Sequence, residues 1–252
     1  MRTPLPAVPP EPNRLLGSLG RAEHALLASH LRPVMLRANE VLFHPGDEID
    51  VVHFPCAATV VSLVSVLHDG RGAEAATIGR EGAVGGIVSG GRKPAFCRAA
   101  VQIPGPALRL EAALLDEAKA ASAPLRDSFA RYADCLLAQL QQSVVCNAVH
   151  PLEARLARWL LTTHDRVGDA ELRLTQDAMA EMLGARRTTV SPVAGALQRR
   201  GLIMYRHGRV RVLNRAGLKA TACECHATVS RHFEAVAPGL YPQLQLAAEA
   251  AD

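Results

Sequence analysis

Leu174-Thr-Gln-Asp-Ala-Met-Ala-Glu-Met-Leu-Gly-Ala-Arg-Arg-Thr-Thr-Val-Ser-Pro-Val-Ala-Gly-Ala-Leu-Gln-Arg-Arg-Gly-Leu202 carries two helical patterns separated by a glycine. Thr175 is a good N-cap, because its hydroxyl can accept from a backbone N–H one turn later. Ala178, Met179, Met182 and Leu183 then form one apolar face at helical spacing. Gly184 is placed to end that helix, since glycine takes a left-handed backbone without strain. In the second pattern Val190, Val193, Ala194 and Leu197 point inward, and the opposite face begins with Arg186, Arg187, Thr188, Thr189 and Ser191. Two short helices around a glycine turn, the second with a cationic and hydroxyl-rich start, read as a helix-turn-helix suited to a DNA major groove. The plainer alternative is a helical hairpin with a solvated basic face.

The next residues favour the first reading. Leu202-Ile-Met-Tyr205 and Val210-Arg-Val-Leu213 flank Arg206-His-Gly-Arg209. Two β-rich runs around a His-Gly turn predict a hairpin, or wing, with Arg206 and Arg209 at its tip. Helix, glycine turn, arginine-led helix and basic hairpin in that order are a far more specific signal than a helix-turn-helix pattern alone.

From Thr175 to Leu213 the chain resembles the C-terminal winged helix of the Crp–Fnr family of bacterial transcription regulators, and the resemblance extends over residues 13 to 235. The family's second helix opens with an Arg-Glu-Thr-Val-x-Arg pattern that reads bases. Arg187, Thr189 and Val190 match it; Thr188 stands where Glu is usual and Pro192 where the second Arg would sit. The resemblance therefore implies DNA binding at a site other than the family's best-known one. It also implies a homodimer on a palindromic double-stranded site, with RNA polymerase as a further partner.

Composition agrees. The chain has 252 residues, 49% hydrophobic and 21% charged, ample for buried cores. Its net charge of +4 is unevenly spread: residues 151–220 hold 13 Lys/Arg against 6 Asp/Glu, and the remainder 15 against 18. A basic C-terminal third on a slightly acidic body is the electrostatic footprint of a DNA-contacting domain. No apolar run reaches the roughly 18 residues of a membrane span, and the N-terminus has no signal pattern. A cytoplasmic location with no membrane association is expected, and six cysteines would stay thiols there.

In chain order, proline-rich residues 1–12 predict a disordered tail. Leu15, Leu16, Leu19, Ala22, Leu26, Leu27 and Leu31 mark a helical stretch ended by Pro33. From Val34 short strands and turns follow, among them Val41–Phe43, the Pro45-Gly46 turn, Val51–Phe54, Thr59–Leu67 and Glu74–Ile78. The expected fold is α+β, with an N-terminal jelly-roll or β-roll sensor domain over 13–120 resembling the family's cyclic-nucleotide-binding domain. A dimerisation helix and hinge follow over 121–150. The winged helix-turn-helix spans 151–235, and a tail 236–252. The long helix, Ala121 to Asn147, would be about 40 Å at 1.5 Å per residue. Leu125, Phe129, Tyr132, Leu136, Leu140, Val144 and Asn147 give a coiled-coil-like seam, either for a partner copy or for the chain's own core.

The run Gly79-Arg-Glu-Gly-Ala-Val-Gly-Gly86 lies where the family's cyclic-nucleotide binders keep a phosphate cassette. There a Gly-Glu pair meets the ribose and a following Arg-(Ser/Thr)-Ala meets the cyclic phosphate. Here Gly85-Gly86 lacks the Glu, and Arg98-Ala99-Ala100 lacks the hydroxyl. Gly82, Gly85, Gly86 and Arg98 are the candidate ligand residues of a degenerate pocket. No cofactor and no cyclic nucleotide is expected; another small effector, or none, is left open, since exposed glycine N–H groups can still hold an anion.

The family's iron–sulfur sensors use N-terminal cysteines, and no cysteine precedes Cys56. Cys223-Glu-Cys225-His226 is the only local cluster with metal-like character, but a tetrahedral site needs about four ligands and the Cys-x2-Cys pairing is missing, so no metal site is assigned. No nucleophile elbow, His-Glu-x-x-His or phosphate loop is present, and no enzyme is expected. Arg187, Thr188, Thr189 and Ser191 are then the base-edge candidates, and Arg186, Arg200, Arg206, His207 and Arg209 the phosphate candidates. The rival reading is a small-molecule or redox sensor whose winged helix makes protein contacts.

Overall fold

The computed structural model describes residues 12–168 and 171–241. Two short helices, α1 (Arg14–Gly17) and α2 (Arg21–Ala28), lead into β1 (Arg32–Leu36), β2 (Val41–Phe43), β3 (Val51–Pro55), β4 (Val60–Val66), β5 (Gly72–Ile78), β6 (Arg98–Ile103) and β7 (Gly105–Glu111). Then come α3 (Ala112–Ala121), α4 (Ala123–Val149), α5 (Leu152–Val167) and β8 (Leu172–Arg173). The chain continues through α6 (Gln176–Met182), α7 (Arg187–Arg199), β9 (Ile203–Arg206), β10 (Arg209–Val212), α8 (Arg215–Thr221) and α9 (Cys225–Val236).

The first seven strands form two antiparallel sheets, β1-β7-β3 and β2-β6-β4-β5. Alternation puts Leu36, Phe43, Val61, Ile78, Val101 and Ala107 between them, the closed core of a β-roll. A second cluster, with Phe54, Leu110, Leu115, Leu125, Phe129 and Tyr132, joins the roll to α3 and the first half of α4. The α+β architecture expected from the sequence is the one observed.

The long helix corrects the seam. Leu125, Phe129 and Tyr132 are buried in the chain's own core, and the buried line continues through Cys135, Gln139, Ser143 and Cys146. The apolar residues left facing out are Leu137, Val144, Val145 and Val149, with Leu136 and Leu140 partly covered. One helix thus has two apolar lines, and the sequence reading ran from one into the other.

The C-terminal segment differs from the tail expected from residue 236 on, since Leu240 and Tyr241 are packed. It breaks between Thr221 and Cys225 into α8 and α9. Helix α9 packs along α4, and Phe233, Leu240 and Tyr241 belong to the second cluster, which joins the roll to α3 and α4. Apolar residues beyond the last periodic helix explain this, because Leu240-Tyr241 finds an uncovered core edge. Residues 1–11 and 242–252 lie outside the described residues.

Candidate nucleic-acid interface

A third core holds the winged helix together. Leu156, Trp159 and Leu160 of α5 meet Met179, Leu183, Val190, Ala194, Leu197, Ile203 and Val210. Every inward position read from the motif is buried, apart from the half-buried Ala178 and Val193. The Thr175 hydroxyl accepts from the Ala178 N–H at 3.1 Å, so the first helix begins where its cap requires. Gly184 follows with φ +58°, the left-handed turn that only glycine enters cheaply. Helix α7 then starts at Arg187, with Arg186 as its N-cap residue.

The first turn of α7 faces solvent. Arg186, Arg187, Thr188 and Thr189 are exposed, while Val190 is buried beneath them. Among the described residues Arg187 makes only long contacts, Nε to Gln176 Oε1 at 3.4 Å and Nη1 to Asp177 Oδ2 at 3.5 Å, both on the surface. Ser191 is more engaged: its hydroxyl has two acceptors in reach for its one proton, Gln176 Oε1 at 2.7 Å and Arg187 O at 2.9 Å. Pro192 sits inside the helix and removes the N–H that would have met the Thr188 carbonyl. Arg200 lies at the other end of α7, where Glu153 (2.6 Å) and Thr221 Oγ1 (2.9 Å) hold it.

The wing has three strands, in the order β8-β10-β9. His207 (φ +50°) and Gly208 (φ +70°) form the two-residue turn, both left-handed, as a primed hairpin turn requires. Arg206 and Arg209 close the turn as direct cross-strand partners, and Arg173 of β8 stands opposite Arg209 on its other side. Directly opposed residues share a face, so three arginines form one exposed row across the wing; Arg211, two residues on, extends it. Like charges directly opposite destabilise a sheet. Of the row, Arg209 is paired with Glu171 at 2.7 Å, a half-exposed surface pair. Arg173 could not be placed from the sequence because the two-residue strand β8 is too short to show a period.

The wing tip and the α7 start are neighbours through α6. Gly208 O accepts from Leu174 N at 2.8 Å, and a Cβ on Gly208 would lie 3.5 Å from the Thr175 methyl. One residue further, Gln176 touches Arg187 and Ser191. Arg186 also stands at the rim of a cleft of about 940 Å³ between the β4–β5 hairpin and α6.

The candidate ligand residues are not gathered into one pocket. Gly85 and Gly86 border a cleft of about 390 Å³ against Leu136, Leu137 and Leu140 of α4, which Arg98 does not line. Gly82 lies against the Tyr132 hydroxyl. Arg98 instead pairs with Glu181 on α6, tying the roll to the winged helix. The glycine-rich run supplies another such tie. Glu81 is buried and accepts from Arg166 of α5 (Nη2 2.6 Å, Nε 2.9 Å) and from Gly79 N (2.9 Å). Arg166 also donates to Thr77 O and Thr162 O, and its guanidinium lies 5.4 Å from the Tyr241 ring centre. Trp159 Nε1 donates to the buried Glu74 at 2.9 Å. The segment that holds phosphate in cyclic-nucleotide binders here holds an arginine of its own chain.

The cysteine-rich corner is tighter than the sequence suggested. Cys146, at the end of α4, lies 3.6 Å from Cys223, and Cys225 lies 3.5 Å from His150 Nδ1. Burial pushes the Cys223 thiol up to about 12 and raises that of Cys225 as well. His226 turns away and meets Asp165 at 2.7 Å.

A basic winged helix-turn-helix, locked by α5 onto a two-sheet roll with a long connecting helix, defines a regulator-type architecture. Residues 154–221 match the family described as the Crp-like helix-turn-helix domain. The transcriptional regulator SdrP of Thermus thermophilus is 33% identical over 92 residues, 34% of this chain and 46% of SdrP, so the chain spans about half of that relative's length. FixK2 from Bradyrhizobium japonicum superposes with a TM-score of 0.64 at 16% identity, over 77% of this chain and 98% of its own. TTHB099, a CRP-family transcriptional regulator from Thermus thermophilus, gives 0.58 at 21%, over 76% and 96%. The chain carries a Crp-like helix-turn-helix domain on the fold of the Crp/Fnr regulators. Among the described residues no helix is long and apolar enough to cross a membrane.

Proposed function

We propose that this chain is a sequence-specific DNA-binding transcription regulator that acts as a homodimer on a palindromic site. The observation that carries the reading is the row Arg173-Arg209-Arg206 on the wing, one short helix away from an α7 whose first turn is exposed. Opposed arginines repel one another until an anion lies across them, and a phosphate backbone is such an anion. In this reading Arg187, Thr188 and Thr189 meet base edges, and Arg187 is placed for bidentate contact with guanine. Ser191 joins them by releasing Gln176. Arg186, Arg206, His207 and Arg209 hold phosphates together with Arg173, and the Arg209–Glu171 pair, at most about 1 kcal/mol as a surface pair, gives way. Arg200, bonded to Glu153 and Thr221, stiffens the far end of α7 instead. Leu137, Leu140 and Val144 of α4 form the seam with a second copy, which sets the two α7 helices about 34 Å apart on DNA. RNA polymerase is the further partner of a regulator bound there. The roll is a degenerate relative of a cyclic-nucleotide pocket, since its glycine-rich run is occupied by the Glu81–Arg166 pair.

Site selection from random duplexes, repeated with Arg187→Ala and Arg209→Ala, tests the division of labour. Arg187→Ala should relax one position per half-site, by about 1–3 kcal/mol. Arg209→Ala should weaken all sequences alike and lower the salt slope by about one ion. A folded wild-type dimer indifferent to every duplex at low salt would overturn the reading in favour of protein contacts.

A further inference from the structure

Four metal-binding side chains meet where α4 ends and α8 passes into α9. Cys146 comes from the last turn of α4, and His150 is the residue that ends it, extended at φ −90° and ψ 143° ahead of Pro151. Cys223 lies between α8 and α9, and Cys225 opens α9. Their three sulfurs and the imidazole nitrogen all lie within 4.8 Å of one another. A tetrahedral zinc with Zn–S near 2.3 Å and Zn–N near 2.0 Å needs ligand separations of about 3.8 Å between sulfurs and about 3.6 Å from sulfur to nitrogen. The observed Cys146–Cys223 and Cys225–His150 distances, 3.6 and 3.5 Å, are already at those values.

The surroundings fit the same ion. With Nδ1 facing the sulfurs, the other imidazole nitrogen of His150 lies 3.3 Å from Glu224 Oε2, the carboxylate–histidine–metal arrangement that fixes a ligating ring. Gln142 Nε2 donates to Cys225 Sγ at 3.0 Å, as a thiolate ligand's neighbour does. All three cysteines are buried and His150 is largely so, which leaves no open coordination position for a reacting water. Three thiolates and an imidazole disfavour calcium and magnesium, which take oxygen ligands. An iron–sulfur cluster, with inorganic sulfide between its irons, needs its cysteines further apart than these.

We propose that Cys146, His150, Cys223 and Cys225 form a closed Cys3His site for one structural zinc ion. The ion staples the end of the long helix to the α8–α9 joint, across the His150-Pro151 hinge that separates the roll from the winged helix. It thereby fixes the direction in which α7 is presented; this consequence rests on the proposed DNA reading, whereas the metal site does not.

The test uses the full-length chain purified without chelator. About one zinc per chain is expected by elemental analysis, with strong thiolate-to-cobalt absorption and tetrahedral visible bands after cobalt exchange. Cys225→Ser should lose most of the metal, and Cys97→Ser and His226→Gln should keep it. The wild-type cobalt spectrum requires no variant to fold. Zinc-supplemented wild type holding almost none, a weak octahedral cobalt spectrum, acid-labile sulfide with iron, or full zinc retention in Cys225→Ser would each overturn the site. Gel shifts before and after mild zinc removal read the hinge separately: unchanged DNA affinity at complete metal loss would overturn the staple's effect on DNA while leaving the site standing.

Discussion

At the scale of single residues, the most consequential contacts are those buried in pairs. Glu81 and Arg166 are both almost wholly removed from water, and each is the other's compensation. Burial costs even a paired charge several kcal/mol, about what the pairing returns, but removing one partner leaves the other bare. Glu81→Gln should therefore lower stability by about 3–5 kcal/mol, read from chemical denaturation, whereas Glu81→Leu with Arg166→Met should lose much less. His53 supplies a pH dependence. Its Nδ1 is buried without a hydrogen-bond partner among the described residues, and burial holds its pKa at about 4 rather than 6.5, with Glu40 opposing and Arg109 adding to the drop. The unfolded chain binds a proton between those values and the folded chain does not, so stability is complete above about pH 6.5 and falls as pH drops towards 4. The loss is about 3 kcal/mol at most. Thermal melts at pH 7 and pH 4.5 should differ by less in His53→Gln than in wild type.

At the scale of elements, the winged helix was legible in detail and the long helix only in part. Thr175, Gly184, the His207-Gly208 turn and the inward set of α7 each carry a local rule strong enough to fix their place. The line through Leu125, Phe129 and Tyr132 has the same spacing whether it faces a partner or the chain's own roll, and spacing alone cannot say which. The proposed metal corner was only half legible, for a related reason: Cys223 and Cys225 stood out as metal-like, but their partners did not. Cys146 and His150 are one helical turn apart, a readable hint, but the 77 residues separating Cys146 from Cys223 carry no pattern that brings the two ends together. The ion pair of Arg98 with Glu181 could not be read either, because 83 residues of unpatterned separation lie between them. Within α7, Gly195 has ordinary backbone geometry, and a Cβ there meets only the end of Arg199 at 3.4 Å. Gly195→Ala should stabilise the fold by about 1 kcal/mol, checked by the unfolding midpoint.

For the whole molecule, the exposed line Leu137, Val144, Val145 and Val149 is the surface on which the proposed dimer turns. Val144, 70% exposed, tolerates polarity in a lone chain but not in a packed seam. Val144→Glu should leave the fold and its melting profile nearly unchanged while halving the mass seen by sedimentation, if two copies meet there as proposed. A wild-type chain that sediments as a monomer at micromolar concentration would remove the seam.

The clasp between Glu81 and Arg166 has a practical corollary for anyone cutting the gene into pieces. An excised fragment beginning near Pro151 would bring Arg166 out with no counter-ion and Trp159 with nothing to receive its indole proton. Such a fragment should express poorly or misfold. Chimeras that graft this reading head onto a foreign roll should fail unless the acceptor brings its own buried acids at the places of Glu74 and Glu81.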